Sequence, residues 1–259
     1  MPNSNDREPF DISFIAKKLR MRAGNQHKTV LVLGSRASSL FRSEALYSEL
    51  QYYGDSGLGP EQPQTKRFGS CHHILTQTQF STTEIDQLLR KTLTDVAVEL
   101  EDLCLARLTA MLGLFDVIVT THLDSLFEQA LGMVGWKEMT HFDVYTPRPD
   151  LHSYDPLSHQ RVPCRIIKIF GQLATSDYSL PKPGYIKLHK PLFDLLQNTL
   201  RRDCLVILTS VEKTKENSQR GHNTGKESIC DVSTVLWREA TLGEHVGDRD
   251  NKHSLVRLA

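Results

Sequence analysis

The sequence predicts an α/β fold, a parallel sheet with helices on both faces. Two observations predict it. Short runs of β-branched residues and leucine, such as residues 29–33, 115–121 and 205–208, alternate with longer segments whose apolar positions recur every three or four residues. Those short runs are continuously apolar rather than alternating, as strands covered on both faces are. A chain of 259 residues is long enough for one large domain of this kind with a real core.

The elements follow in order. Residues 1–27 read as a polar N-terminal extension with one amphipathic piece, FDISFIAKKLRM, in which Phe10, Ile12, Phe14, Ile15 and Leu19 mark a helical face. The main domain spans residues 28–211. Its first strand, residues 29–33, stops at Gly34, and SRASSLFRSEALYSEL then turns into a helix. A strand, a glycine turn and a helix open a nucleotide-binding βαβ unit. Residues 53–70 are rich in Gly, Pro and Gln and read as a loop, and HHILTQTQF as a weak strand. Residues 81–112 read as one long helical region. Ser81 or Thr82 is its N-cap, with Glu84 or Asp86 in the first turn, and Leu88, Leu89, Val96, Leu100, Leu103 and Leu108 form its buried side. A strand at 115–121 and a helix from Ser125 follow. The chain then becomes irregular through HFDVYTPRPDLHSYDPLSHQRVP, before a strand at 165–170, a helix at 186–201 and a last strand at 205–208. Residues 212–259 read as a polar loop and a short C-terminal helix, VSTVLWREATL. The ending LVRLA leaves open that the domain is a piece of a longer protein.

Charge and cysteine usage narrow the function classes. Lys+Arg and Asp+Glu both number 31, a formal net charge of zero. No basic excess points to nucleic acid or to an anionic membrane, and no apolar run is long enough to span a bilayer. The N-terminus lacks the basic start and apolar core of a signal peptide. The five cysteines lie far apart in sequence, which speaks against a zinc ribbon, and their odd number against a disulfide framework. A reducing, cytoplasmic setting is expected.

The polar residues at the strand ends carry the candidate chemistry. In FDVIVTTHLDSLFEQAL, His122 and Asp124 stand between a strand and a helix. Ligands bind there in an open α/β sheet, yet Asp124 and Ser125 are also ordinary helix caps. Gly34 to Ser38 fits a phosphate cradle or a plain βα turn, and Arg36 fits either a phosphate or a salt bridge. His141, His152 and His159 are spaced too irregularly to suggest a metal site, and residues 213–226 read as a solvated loop.

Three stretches line up in order: VLVLGSRASS, IVTTHLDSLFEQAL and IIKIFGQL. Together they resemble the SIR2-like family, Rossmann-type domains related to sirtuins and found in bacterial antiviral systems. The resemblance covers about residues 28–211. That family shows Gly-Ala-Gly-x-Ser after its first strand, then Thr-Thr-Asn-x-Asp before a helix bearing Glu, then Lys-Leu-His-Gly, and a last strand leading to Gly-x-Ser. Thr120, Thr121, Asp124 and Glu128 match the second motif. The resemblance implies a Rossmann-like sheet, NAD as cofactor, and Gly34, Ser35, Arg36, Ser38, Thr121, Asp124 and Ser210 as its binding positions.

The departures fall where chemistry would occur. Ser35 and Arg36 replace the Ala-Gly pair, His122 replaces the Asn, Phe170 replaces the His, and Leu208 replaces the last Gly. A phenyl ring cannot accept a proton and cannot be a general base. Tyr185 to Lys190 also contains Lys-Leu-His, but it lacks the glycine and enters a helix, so His189 reads as a partly exposed helix residue. The expectation is a catalytically degenerate domain that regulates, senses or oligomerises, with a protein partner or a second copy. Two alternatives stand. One is an active NAD hydrolase using His122 and Asp124 as its catalytic residues, and the other a binding module for a nucleotide or ADP-ribose-type ligand.

Overall fold

The computed structural model describes residues 16–17, 19–22, 29–34, 37–53, 56–77, 80–94, 96–147, 162–180, 192, 205–209 and 254–257. Six strands make one sheet: β1 (Thr29–Leu33), β2 (Val117–Thr120), β3 (Phe142–Tyr145), β4 (Cys164–Lys168), β7 (Leu205–Thr209) and β8 (Ser254–Arg257), in the spatial order β3-β4-β2-β1-β7-β8. Every pairing in it is parallel. Two further strands, β5 (Gly171–Gln172) and β6 (Asp177–Tyr178), form a small antiparallel hairpin beyond β4. The helices around the sheet are α1 (Ser39–Arg42), α2 (Glu44–Gln51), α3 (Gln64–Gln77), α4 (Thr82–Leu93), α5 (Leu100–Leu112) and α6 (Leu126–Met133).

The strands sort their side chains by alternation. Val30 and Val32 point into one apolar cluster, with Val117, Val119 and Ile167 beside them, and α2, α3 and α4 cover it through Leu46, Tyr47, Leu50, Ile74, Leu75 and Leu89. Leu31 and Leu33 point into the other, with Ile118 and Ile166, under Ala106 of α5 and Phe127, Ala130 and Leu131 of α6. The sheet is therefore covered on both faces at β1, β2 and β4, which is why residues 30–33, 117–119 and 166–167 are apolar without alternation. An all-parallel sheet between helix layers is compatible with a Rossmann-like fold. No helix of the described residues is long and apolar enough to cross a membrane.

The register fixes where the loops emerge. Leu33 lies opposite both Thr120 and Thr209, and Thr120 lies opposite Lys168. Four strands thus end level, and their following loops leave from one edge. β1 sits between β2, its successor, and β7, reached only later, so the order reverses beside β1. Crevices in such sheets form at that reversal.

Several elements differ from the sequence expectation. Residues 64–77, read as loop and weak strand, form α3. Its buried positions Phe68, Cys71, Ile74 and Leu75 do have helical spacing, but Gly69 and a polar background mask it. Arg67 anchors the helix with a two-pronged ion pair to Glu44, at 2.7 and 2.6 Å, and a bond to the Leu58 carbonyl. The helix expected after Gly34 breaks at Ser43, whose hydroxyl accepts from the Leu46 amide and donates to the Thr92 carbonyl. The long helical region is two helices. α4 starts as expected, with Ser81 and Glu84 forming a capping box. α5 restarts at Glu99, where the Asp102 carboxylate accepts from the Glu99 amide at 3.0 Å. Leu100 and Leu108, expected inside, face outward, because Asp102, Ala106 and Thr109 form the inner side of α5. The stretch read as irregular after Leu131 contains the edge strand β3. β8 adds a strand beyond residue 211. Of the N-terminal extension, Leu19 packs against the second cluster. The expected helices at 186–201 and 232–242 lie outside the described residues, apart from Leu192, which is helical and buried.

One buried group predicts acid sensitivity. His72 on α3 is 7% exposed, and among the described residues neither ring nitrogen has a hydrogen-bond partner. Burial pushes its pKa down to about 4, with the neighbouring His73 adding to the shift. The unfolded chain binds this proton near pH 6.5, the folded chain only near 4, so stability is complete above 6.5 and falls as pH drops through that window. The loss amounts to about 3 kcal/mol for this one group. Urea unfolding at stepped pH should show the slope in the native protein and a flatter profile in His72→Leu.

Candidate functional site

The loop between β2 and α6 is the centre of the candidate site. It leaves the sheet at Thr120 and enters α6 at Leu126, so residues 121–125 lie at the level strand ends. Three sets of bonds fix it to elements far away in sequence.

The first runs to the end of β1. His122 is buried, and its Nε2 lies 2.7 Å from the Gly34 carbonyl oxygen. A carbonyl only accepts, so Nε2 carries the proton in this bond. The His122 amide meanwhile donates to the Thr120 hydroxyl at 3.1 Å. Gly34 is itself buried, and its carbonyl also accepts from the Ala37 amide at 3.2 Å, which closes the turn.

The second runs to α1. One Asp124 carboxylate oxygen accepts from the Ser39 amide at 2.7 Å and from the Ser39 hydroxyl at 2.8 Å. The other accepts from the Leu126 amide at 3.1 Å and so caps α6. Burial raises the Asp124 pKa, but the opposing pull of His122 and Lys168 and the amides of Ser39 and Leu126 outweigh it. The net shift is downward, and the group stays a carboxylate.

The third comes from β4. Lys168 is 0% exposed, and its ammonium donates to the Asp124 carbonyl and to the Glu128 carboxylate on α6. A buried ammonium without such partners would cost several kcal/mol.

Gly34, Ser38, Thr121, His122 and Asp124 lie at one edge of the sheet. Ser38 is buried and caps α1, accepting from the Phe41 amide at 3.3 Å. Thr121 is half-buried. Ser35, Arg36, Ser210 and His189 lie outside the described residues. Phe170 is buried in the first apolar cluster with Val32 and Leu123. The end of β4 is next to the end of β2: the Ile169 amide donates to the Thr120 carbonyl at 2.9 Å, and the Leu173 amide to the Leu123 carbonyl at 2.8 Å.

The glycine after Phe170 has a structural reason of its own. Gly171 has φ +85°, and a Cβ there would lie 1.9 Å from the Asp177 carbonyl oxygen in the β5–β6 hairpin. Only glycine fits both constraints.

Sequence reasoning missed three participants. Ser39 and Lys168 hold the loop from either side. Arg42, at the end of α1, makes a two-pronged ion pair with Asp102 of α5 at 2.6 and 2.9 Å. The signal for Lys168 lay in the quoted motif IIKIFG, since a lysine inside an apolar strand needs an acidic partner, and Glu128 was present in the helix motif. Among the described residues no group of three or more His, Cys, Asp or Glu side chains is placed to hold a metal ion.

No protein-family model matches the chain, and no curated protein is significantly similar to it.

Chemically, the arrangement offers two carboxylates, one imidazole and one ammonium, each already bonded within the protein. Breaking the charged part should be costly. Lys168→Met leaves Glu128 uncompensated and should destabilise by about 3–5 kcal/mol. The double variant Lys168→Met with Glu128→Leu should recover much of that loss. Denaturant unfolding of the two single variants and the pair measures the coupling; additive losses would show that the two groups do not depend on each other.

Proposed function

We propose that this domain is a catalytically degenerate SIR2-like module that regulates, senses or assembles, in a bacterial defence-type system in the cytoplasm. The observation that carries the reading is that the expected ligand groups are spent on one another. Asp124 holds the first amide of α1, the group a cradled phosphate would need. Any phosphate approaching that amide meets a carboxylate instead. His122, the replacement for the family's Asn, commits Nε2 to the Gly34 carbonyl. Phe170, in the place of the family's His, lies in the core.

These features act on different terms of the reaction. Loss of a general base alone removes about 10²–10⁴-fold of rate. A carboxylate against the phosphate position opposes binding as well. What the fold retains is the rigid set of level strand ends, which serves a scaffold without turnover. The same edge supports a second reading, NAD hydrolysis by His122 beside Asp124. It is favoured by the ionised state of Asp124 and its electrostatic coupling to His122. A nucleotide or ADP-ribose-type ligand without cleavage is the third.

One pair of measurements decides among them. Purified protein incubated with NAD, with and without candidate activators, should release nicotinamide at no more than the rate of a blank. Turnover that disappears in Asp124→Asn, with folding confirmed by circular dichroism, would establish the hydrolase instead. A melting-temperature panel with NAD and ADP-ribose should give no shift, whereas a ligand at 100 times its Kd would add about 2.7 kcal/mol.

A further inference from the structure

Helix α5 is apolar on the side it should not be. Its inward positions are Asp102, Ala106 and Thr109, two of them polar. Its outward positions include Leu100, Leu108, Met111 and Leu112, exposed by 70%, 40%, 76% and 58%. Cys104, a free thiol, is exposed among them. At about 100° per residue, Met111, Cys104 and Leu108 fall in one narrow stripe, with Arg107 along one edge and Glu101 towards the other. A helix apolar on its outer side belongs between two layers, and contiguous exposed apolar patches mark interaction sites.

The charges at the edges indicate what covers the stripe. Arg42, Glu99 and Asp102 around the inner side are engaged with one another. Glu101 and Arg107 are exposed, and among the described residues neither has an ion pair or side-chain hydrogen bond. A strongly acidic or basic partner would satisfy one of them and repel the other. A second copy satisfies both, because a two-fold axis that sets Glu101 against the partner's Arg107 returns the same pair on the other side. The chain's formal net charge of zero brings no long-range repulsion between copies.

We infer that the outer face of α5 is a two-fold interface between two copies of this chain, with Leu108 and Met111 at its centre and a reciprocal Glu101–Arg107 pair at its rim. It gives the assembly reading proposed above a surface and a partner, and it rests on that reading. It also joins the interface to the candidate site, since Asp102 on the inner side of α5 grips Arg42 of α1, whose first residue is held by Asp124.

Sedimentation velocity on the full chain over about 1–100 μM tests it, a range that covers ordinary specific dimers. The native protein should be dimeric. Leu108→Glu with Met111→Glu should weaken the dimer about 100-fold or more. Glu101→Arg and Arg107→Glu should each weaken it about tenfold, and the double exchange should restore it. A native protein that stays monomeric, a dimer indifferent to Leu108→Glu with Met111→Glu, or a double exchange as weak as either single change would overturn the inference. All four positions are exposed, so circular dichroism should show each variant folded. Nicotinamide release read on the same samples separates the two proposals: a dimer that cleaves NAD removes the degenerate reading alone, and an inert monomer removes the interface alone.

Discussion

A buried lysine sets the geometry of this sheet edge. Lys168 ends β4 with no access to solvent, and its charge has to be met inside the protein. It is met by the Asp124 carbonyl and the Glu128 carboxylate, both belonging to the connection out of β2. That requirement draws the β2–α6 loop across the end of the neighbouring strand. The loop then reaches the end of β1 through His122 and the start of α1 through Asp124. Three strand ends and two helix starts are fixed by one short loop.

The bonding at this edge ties distant elements to one another. A ligand site needs polar groups held in position but left with capacity to spare. Here the Asp124 carboxylate accepts three hydrogen bonds from within the chain, and the carbonyl of Gly34 accepts two. These polar groups therefore bond chiefly to the chain itself. Gly171 makes a similar point, since the turn it occupies requires it.

The second constraint lies between the layers. α5 turns its small and polar residues inward, where Asp102 serves Arg42, and leaves its larger apolar residues outside. Packing close to α6 over Ala106 and Ala130 favours small side chains at that seam. The apolar surplus of the sequence then appears on the outer face, while the inner face is tied to α1 by the Arg42–Asp102 ion pair.

What the sequence by itself determined was set by local physics. Continuous β-branched runs located β1, β2, β4 and β7, and the two-sided burial of β1, β2 and β4 follows from the absence of alternation. Ser81 and Glu84 marked the start of α4 because a capping box needs only residues three apart. The motif residues Gly34, His122 and Asp124 were legible as neighbours because parallel strands bring their carboxyl ends together. The tertiary structure alone decided which groups they spend their bonds on. His122 and Gly34 are 88 residues apart, Asp124 and Ser39 are 85, and Lys168 and Glu128 are 40. It also decided that α3 is a helix and that Leu100 and Leu108 face outward, because both follow from which distant side chain occupies the inner position. A hydrogen bond across such a separation leaves no period or spacing in the chain, and only the packed sheet brings its two ends within reach.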